Sequence, residues 1–164
     1  MKTLLLSVAA LLMSASLLIA APKNDIVDTA MEAGSFETLL NAIKTADLLD
    51  TLKGEGPFTV FAPSDEAFKK FWPKTLENLL RSENKDKLQM LLTYHVVSGK
   101  VKAKKAKNLK TAVPVSGGSL NFSTKNEDLY VNYAKVVKAN IKASNGIIHV
   151  INAVLIPNTM KGGK

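Results

Sequence analysis

Two histidines are the only imidazoles in the chain, and each sits among apolar, β-branched neighbours: Tyr94-His-Val-Val97 and Gly146-Ile-Ile-His-Val-Ile151. Paired histidines can hold a metal or serve as a general base. A metal needs a third and usually a fourth ligand, yet the chain has no Cys and no His-Glu-x-x-His spacing. The other reading makes His95 and His149 core residues in apolar strands, their ring nitrogens bonded to backbone or tyrosine groups, because buried polar groups demand partners. That reading is adopted. No catalytic, metal or cofactor-binding residue is assigned, and no cofactor is expected.

Ser64-Asp65-Glu66 raises the question of hydrolase chemistry. No Gly-x-Ser-x-Gly elbow surrounds Ser64, and no histidine lies near it in sequence. Adjacent carboxylates on a helix diverge, so Asp65 and Glu66 cannot work as a paired acid and base. Ser64 fits a helix N-cap instead, with the two acids in the first turn, where the helix dipole favours them. Asn121-Phe-Ser123 matches a glycosylation sequon but is read as an ordinary strand segment. Tyr94 has an apolar body and a hydroxyl handle, which suits a core edge or an interface.

The most individual stretch is Lys100 to Lys110, with Lys100, Lys102, Lys104, Lys105, Lys107 and Lys110 in eleven residues. Val101, Ala103, Ala106 and Leu109 interrupt the charge and predict docking at intervals. One reading is a solvated face that keeps the protein soluble. The other is a patch for acidic polysaccharide, lipopolysaccharide phosphates or an acidic partner, held by point charges with little geometric specificity. Aromatic residues do not interleave with the lysines, so nucleic acid is not suggested.

These residues need elements to carry them. Asp25 to Ala33 is predicted helical, capped by Asp25 and stopped at Gly34, and Ser35 is expected to cap a second helix with Leu39, Leu40 and Ile43 inward. A short helix around Leu48–Leu52 ends at Gly54. Phe58–Ala62 is a strand, followed by a helix from Ser64 that Pro73 ends. Thr75–Leu80 and Asn84–Thr93 are helical. From Tyr94 the period becomes strand-like, with strands expected at Tyr94–Val97, Ala112–Val115, Ser119–Ser123, Leu129–Tyr133, Lys135–Ile141 and Ile147–Ile156. Gly117-Gly118 and Asn145-Gly146 are tight-turn signals. Helices first and strands second argue for an α+β fold. Gly146–Pro157 is nearly unbroken apolar chain and reads as a strand buried on both faces.

The chain opens with Lys2 and an apolar run, Leu4 to Ala21, then polar residues, which is the pattern of a secretory signal peptide over residues 1–21. A retained membrane anchor is the alternative, since the run is just long enough to span. Removing residues 1–21 from 164 leaves 143, one domain of ordinary size, and takes the formal charge from +8 to +7 with Lys2. The division expected is a leader at 1–21, a domain at 22–157 and a tail at 158–164. A cysteine-free exported module suggests a bacterial origin and a secreted or periplasmic location.

Three boxes in register then carry a resemblance. Phe58-Thr-Val-Phe-Ala-Pro-Ser-Asp-Glu-Ala-Phe68 resembles the first signature box of the fasciclin domain, and Asn145-Gly-Ile-Ile-His-Val-Ile-Asn-Ala-Val-Leu-Ile-Pro157 its second. Leu91-Leu-Thr-Tyr-His-Val-Val-Ser-Gly-Lys100 is similar to the family's tyrosine–histidine motif. The resemblance covers roughly Asn24 to Pro157. It implies a β-wedge of mixed and antiparallel strands with helices packed alongside, and a non-enzymatic adhesion or binding module contacting matrix, envelope polysaccharide or a cell surface. A soluble periplasmic protein for a small ligand or envelope upkeep is the alternative. In some animal members the tyrosine–histidine motif is assigned integrin binding. By position this implies Tyr94, His95, Leu91, Leu92, Val96 and Val97 as partner-binding candidates. The expected partner is an extracellular or envelope protein or an acidic polysaccharide, with no stable membrane insertion once the leader is gone. Ser98 departs from a frequent Pro, Asn152 from the usual Asp, and Asn140 from the Asp of an Asp-Ile pair. The last two remove carboxylates and weigh against animal-type integrin recognition.

Overall fold

The computed structural model describes residues 22–71 and 73–161. Residues 1–21, where a leader is expected, Trp72 and residues 162–164 lie outside the described residues. Among the described residues no helix is long and apolar enough to cross a membrane.

The described residues hold seven α-helices: α1 (Ile26–Ala33), α2 (Glu37–Thr45), α3 (Leu49–Lys53), α4 (Asp65–Lys70), α5 (Pro73–Leu79), α6 (Lys85–Tyr94) and α7 (Ala103–Asn108). The strands are β1 (Phe58–Pro63), β2 (Val96–Ser98), β3 (Thr111–Ala112), β4 (Leu120–Lys125), β5 (Asp128–Val131), β6 (Ala134–Ala143) and β7 (Gly146–Ile151). They form one sheet in the order β2-β1-β7-β6-β5-β4-β3, antiparallel except for the parallel pair β1–β7. Beyond β3 the chain reaches β2: Pro114 bridges Val97, and Val115 N–H donates to Val96 O at 2.8 Å. The two ends of the sheet therefore meet, and the sheet nearly closes into a wedge-shaped barrel. The α+β architecture expected from the element order is the one observed.

Period-two alternation in the central strands builds two cores. Val60 and Ala62 of β1, with Ile148 and Val150 of β7, face the helices and pack with Ile26, Phe36, Leu39, Ile43, Leu88 and Leu92. Phe61 and Ile151 point the other way, into the barrel, and pack with Tyr94, Val97, Val101, Leu120, Phe122 and Leu155. All six residues of β7 are buried, because helices cover one face and the closed sheet covers the other. At Gly146 a Cβ would sit 2.1 Å from Phe58 O and 2.8 Å from Ile26 Cδ1, so no side chain fits at the start of β7.

Asp25 caps α1 by accepting from Asp28 N–H at 2.9 Å, and Gly34 closes the helix in the left-handed region (φ 69°). Several expectations change. Ser35 does not cap α2. The Asp65 carboxylate, brought over by β1 and Ser64, accepts from Thr38 N–H at 2.9 Å and Glu37 N–H at 3.3 Å, so a longer-range acceptor displaces the local one. Ser64 does cap α4, accepting from Ala67 N–H at 3.3 Å. Pro73 opens α5 rather than closing the preceding helix, which ends at Lys70. A first helical position tolerates the missing N–H. The β3–β4 connection runs from 113 to 119, longer than a two-glycine hairpin, because Pro114 and Val115 are occupied in closing the barrel; Gly117 and Gly118 take positive φ within it. The β6–β7 loop is Ser144-Asn145, with Ala143 opposite Gly146. Asn145 spends its side chain on Ile26 N–H and on the carbonyls of Leu52 and Gly54, tying α1 and α3 to the sheet.

Candidate functional site

Two features stand out from the sequence: the tyrosine–histidine motif and the lysine stretch. The first is interior. Tyr94 is the last residue of α6, and His95 is its C-cap, not a strand residue as its apolar flanks suggest. His95 N–H turns to Leu92 O, which leaves Leu91 O without its usual helical donor. The ring supplies that donor: Nδ1–H gives to Leu91 O at 2.7 Å, while Nε2 accepts from Leu155 N–H at 2.9 Å. His95 O accepts from Phe61 N–H. One residue thus joins α6, β1 and the C-terminal segment as a neutral imidazole of fixed tautomer. Burial pushes its pKa down to about 4, the helix carbonyl opposing only weakly.

The Tyr94 hydroxyl donates to Ser119 O at 2.9 Å and accepts from Asn132 Nδ2 at 3.2 Å, which secures the loop after β3. Leu91, Leu92, Tyr94, His95, Val96 and Val97 are all buried, so none presents a side chain to a partner on the folded surface. The exposed apolar groups above them belong to the closing loop: Val113 and Val115, 69% and 52% exposed, flank the Pro114 that bridges Val97. Beneath Val115 lies an apolar cavity of about 50 Å³, lined in part by Leu39, Ile43, Leu52, Leu92 and His95. Sites for drug-sized ligands are on the order of 300–1,000 Å³, so this cavity is packing space.

The lysine stretch is ordered. Lys102 is the N-cap of α7, Ala106 is fully buried under the helix, and Val101 enters the barrel core. Lys100, Lys102, Lys104, Lys105, Lys107 and Lys110 are all exposed, and among the described residues none of them forms an ion pair. Lys107 spends its ammonium on the backbone carbonyl of Glu127. No Asp or Glu occurs between Asp86 and Lys125, so the charge of α7 is uncompensated along its own segment. β-Register adds Lys142, which pairs with Ile147, itself opposite Thr59, on the barrel-facing side of the sheet where the Gly99–Val101 segment passes.

Three polar side chains seat this segment. Thr59 Oγ1 donates to Gly99 O at 2.6 Å and accepts from Val101 N–H at 2.8 Å. His149 Nε2–H donates to Val101 O at 2.7 Å, and Nδ1 accepts from Asn140 N–H at 3.1 Å. Asn140 stands at a β6 irregularity in the left-handed region (φ 59°), and its Oδ1 accepts from Ala103 N–H, the first residue of α7, at 3.0 Å. His149 stacks on Phe61 with centroids 5.5 Å apart, and burial lowers its pKa. Among the described residues no cluster of His, Asp or Glu has the geometry to hold a metal ion.

The fasciclin domain family profile matches residues 34–157. This chain belongs to the fasciclin domain family. It is 47% identical over 132 residues to protein sll1483 of Synechocystis, covering 80% of this chain and 73% of that one. It is 37% identical over 145 residues to the pig transforming growth factor-beta-induced protein ig-h3, covering 85% of this chain and 20% of that longer protein. Among solved structures, a FAS1 domain pair from the insect cell adhesion molecule fasciclin I superposes with a TM-score of 0.75 at 17% identity, over 84% of this chain and 52% of the other.

Sequence reasoning singled out Tyr94, the two histidines and the six lysines, noted Asn140 only as a lost carboxylate, and missed Thr59, Asn132 and Lys142. The available signal was Asn within strand-like segments, since Asn is depleted from strands and here takes positive φ at both Asn132 and Asn140.

Proposed function

We propose that this protein is an exported adhesion module that contacts an anionic polymer, an envelope or matrix polysaccharide, through α7 and its flanking lysines. Export through the leader at residues 1–21 is part of this reading, as is a single domain over 22–157. The observation that carries it is an ordered helix whose buried Ala106 and seated Val101 leave six lysines exposed and, among the described residues, without an ion pair, Lys107 alone being held by a backbone carbonyl. A merely solubilising charge run needs no such seating.

Leu91, Tyr94, His95, Val96 and Val97 take an indirect part in this reading. They shape the Val113–Ser119 loop from below, and that loop is the surface an extracellular or envelope protein partner would meet. The alternative of a small-ligand carrier would need one of the open surface clefts, since the apolar cavity beneath Val115 is too small. The test is retention on immobilised sulfated dextran. The reading expects binding at low salt and elution well before 1 M, where the Debye length falls to about 3 Å. Flow-through at low salt, or retention that survives 1 M salt, contradicts it.

A further inference from the structure

We propose that Thr59, His149 and Asn140 form a latch that seats the lysine helix on the barrel, and that protonation of His149 at Nδ1 opens it. The latch is a statement about the order of α7; its consequence for polymer binding rests on the reading of α7 as the anionic contact.

The chain enters α7 through Val101 and Ala103, and these two backbone positions are held by the three side chains. His149 is the member that joins them. One ring nitrogen holds Val101 O, and the other holds the N–H of Asn140, the residue whose side chain caps Ala103. The second bond requires Nδ1 to carry a lone pair. A proton there sets N–H against N–H at 3.1 Å, which turns an attraction into a repulsion. Asn140 sits in the left-handed region within a bulge, a conformation that persists only while its surroundings hold it. Once its N–H is released, the cap on Ala103 goes with it. Thr59 and the Nε2–H bond of His149 to Val101 O then remain as tethers, both short of the helix itself.

The surroundings of His149 offer an imidazolium nothing. β1 contributes Phe61 and Thr59 and has no titratable side chain. The Gly99–Lys102 segment contributes Lys100 and Lys102, and α7 contributes Lys104, Lys105 and Lys107. β6 contributes exposed Lys138 and Lys142, with Lys135 already paired to Asp128. No carboxylate stands on any of these elements. Burial adds to this and lowers the pKa of His149, so the latch opens on the acid side of the ordinary histidine range, below about 6.5.

Amide hydrogen exchange between pH 7 and 4.5, corrected for the intrinsic pH dependence, reads the latch. Amides of Ala106–Leu109, the hydrogen-bonded ones of α7, are expected to lose at least about tenfold more protection than those of β1 and β7. That selective step is expected to vanish in His149→Gln, which cannot titrate, and to persist in His95→Gln. Should His149→Gln disturb the helix outright, Asn140→Gly serves instead. It keeps the left-handed backbone and deletes the cap, and should expose the α7 amides already at pH 7 with the β7 amides unchanged. Loss of α7 protection in step with β1 and β7, or a selective step that survives in His149→Gln, overturns the proposal. So does full α7 protection at pH 7 in Asn140→Gly. Sulfated dextran, whose charge is constant over this range, tests the consequence separately. If α7 opens and binding is unchanged, the latch stands and the assignment of α7 as the contact fails.

Discussion

The backbone N–H of Leu155 donates to Nε2 of His95 across 2.9 Å, sixty residues apart in sequence. With Nδ1–H on Leu91 O, this bond uses both ring nitrogens, and no water or ligand is needed to explain the histidine. Replacing His95 by Ala removes both bonds and leaves a buried donor and a buried acceptor unpaired beside a new cavity. A loss of about 3–5 kcal/mol is expected in urea unfolding. Tyr94→Phe removes only the hydroxyl on Ser119 and Asn132 and should cost about 1–2 kcal/mol. A His95→Ala protein of wild-type stability contradicts this structural role.

Acid should destabilise the protein through the same residue. The pKa of His95 is about 4 folded and about 6.5 unfolded, so between these values the unfolded chain binds more protons. The contribution is whole above pH 6.5, declines as pH falls, and is lost near pH 4, for a total on the order of 3 kcal/mol. His149, lowered by burial, acts in the same direction. Unfolding free energies at pH 7 and 4.5 should differ less in His95→Gln than in wild type, and equal differences count against the assignment.

Asn152 stands where the family's second box usually has Asp, and its geometry shows why either residue serves. Its Oδ1 accepts from Lys135 N–H at 2.9 Å, and its N–H donates to Lys135 O at 3.1 Å, extending the β6–β7 pairing by one closed ring. Only an acceptor is asked of the side chain. Asn152→Asp should change stability by no more than about 0.5 kcal/mol, and Asn152→Ala should cost about 1–2 kcal/mol. Thermal and urea unfolding separate these. A large loss in Asn152→Asp would show that the amide is needed.

Asp65 joins two helices, lying in the first turn of α4 while capping α2. Asp65→Ala should cost about 1–2 kcal/mol and Asp65→Asn less, since the amide oxygen still accepts. Equal losses in the two variants would point to charge rather than capping.

Local patterns in the sequence carried much of the fold. The start of the β7 run, the Asp25 and Ser64 caps and the broad helices-then-strands order follow from neighbouring residues and appear in the structure, although the strand expected to Ile156 stops at Ile151 and α7 interrupts the strands. What failed depended on distant chain. Ser35 lost the α2 cap to Asp65, which the sequence gives no reason to place there. His95 looked like a strand residue because its neighbours are β-branched, yet Leu91, one helical turn earlier, claims its ring. The division of labour at the lysine stretch was hidden for the same reason: Thr59, Asn140 and His149 reach it only after the sheet closes. The lysines themselves were legible, because charge density needs no tertiary information.

The salt dependence of affinity for sulfated dextran tests most directly the proposed contact of the α7 lysines with an anionic polymer. Wild type should bind at about 0.1 M salt and weaken steeply toward 1 M. The variant carrying Lys102→Ser, Lys104→Ser, Lys105→Ser and Lys107→Ser should bind at least about tenfold more weakly at 0.1 M, because exposed ion contacts contribute up to about 1 kcal/mol each and about 1.4 kcal/mol is tenfold. Its dependence on salt should also be shallower. Affinity and salt dependence equal to wild type in that variant, with the fold intact, would contradict the claim.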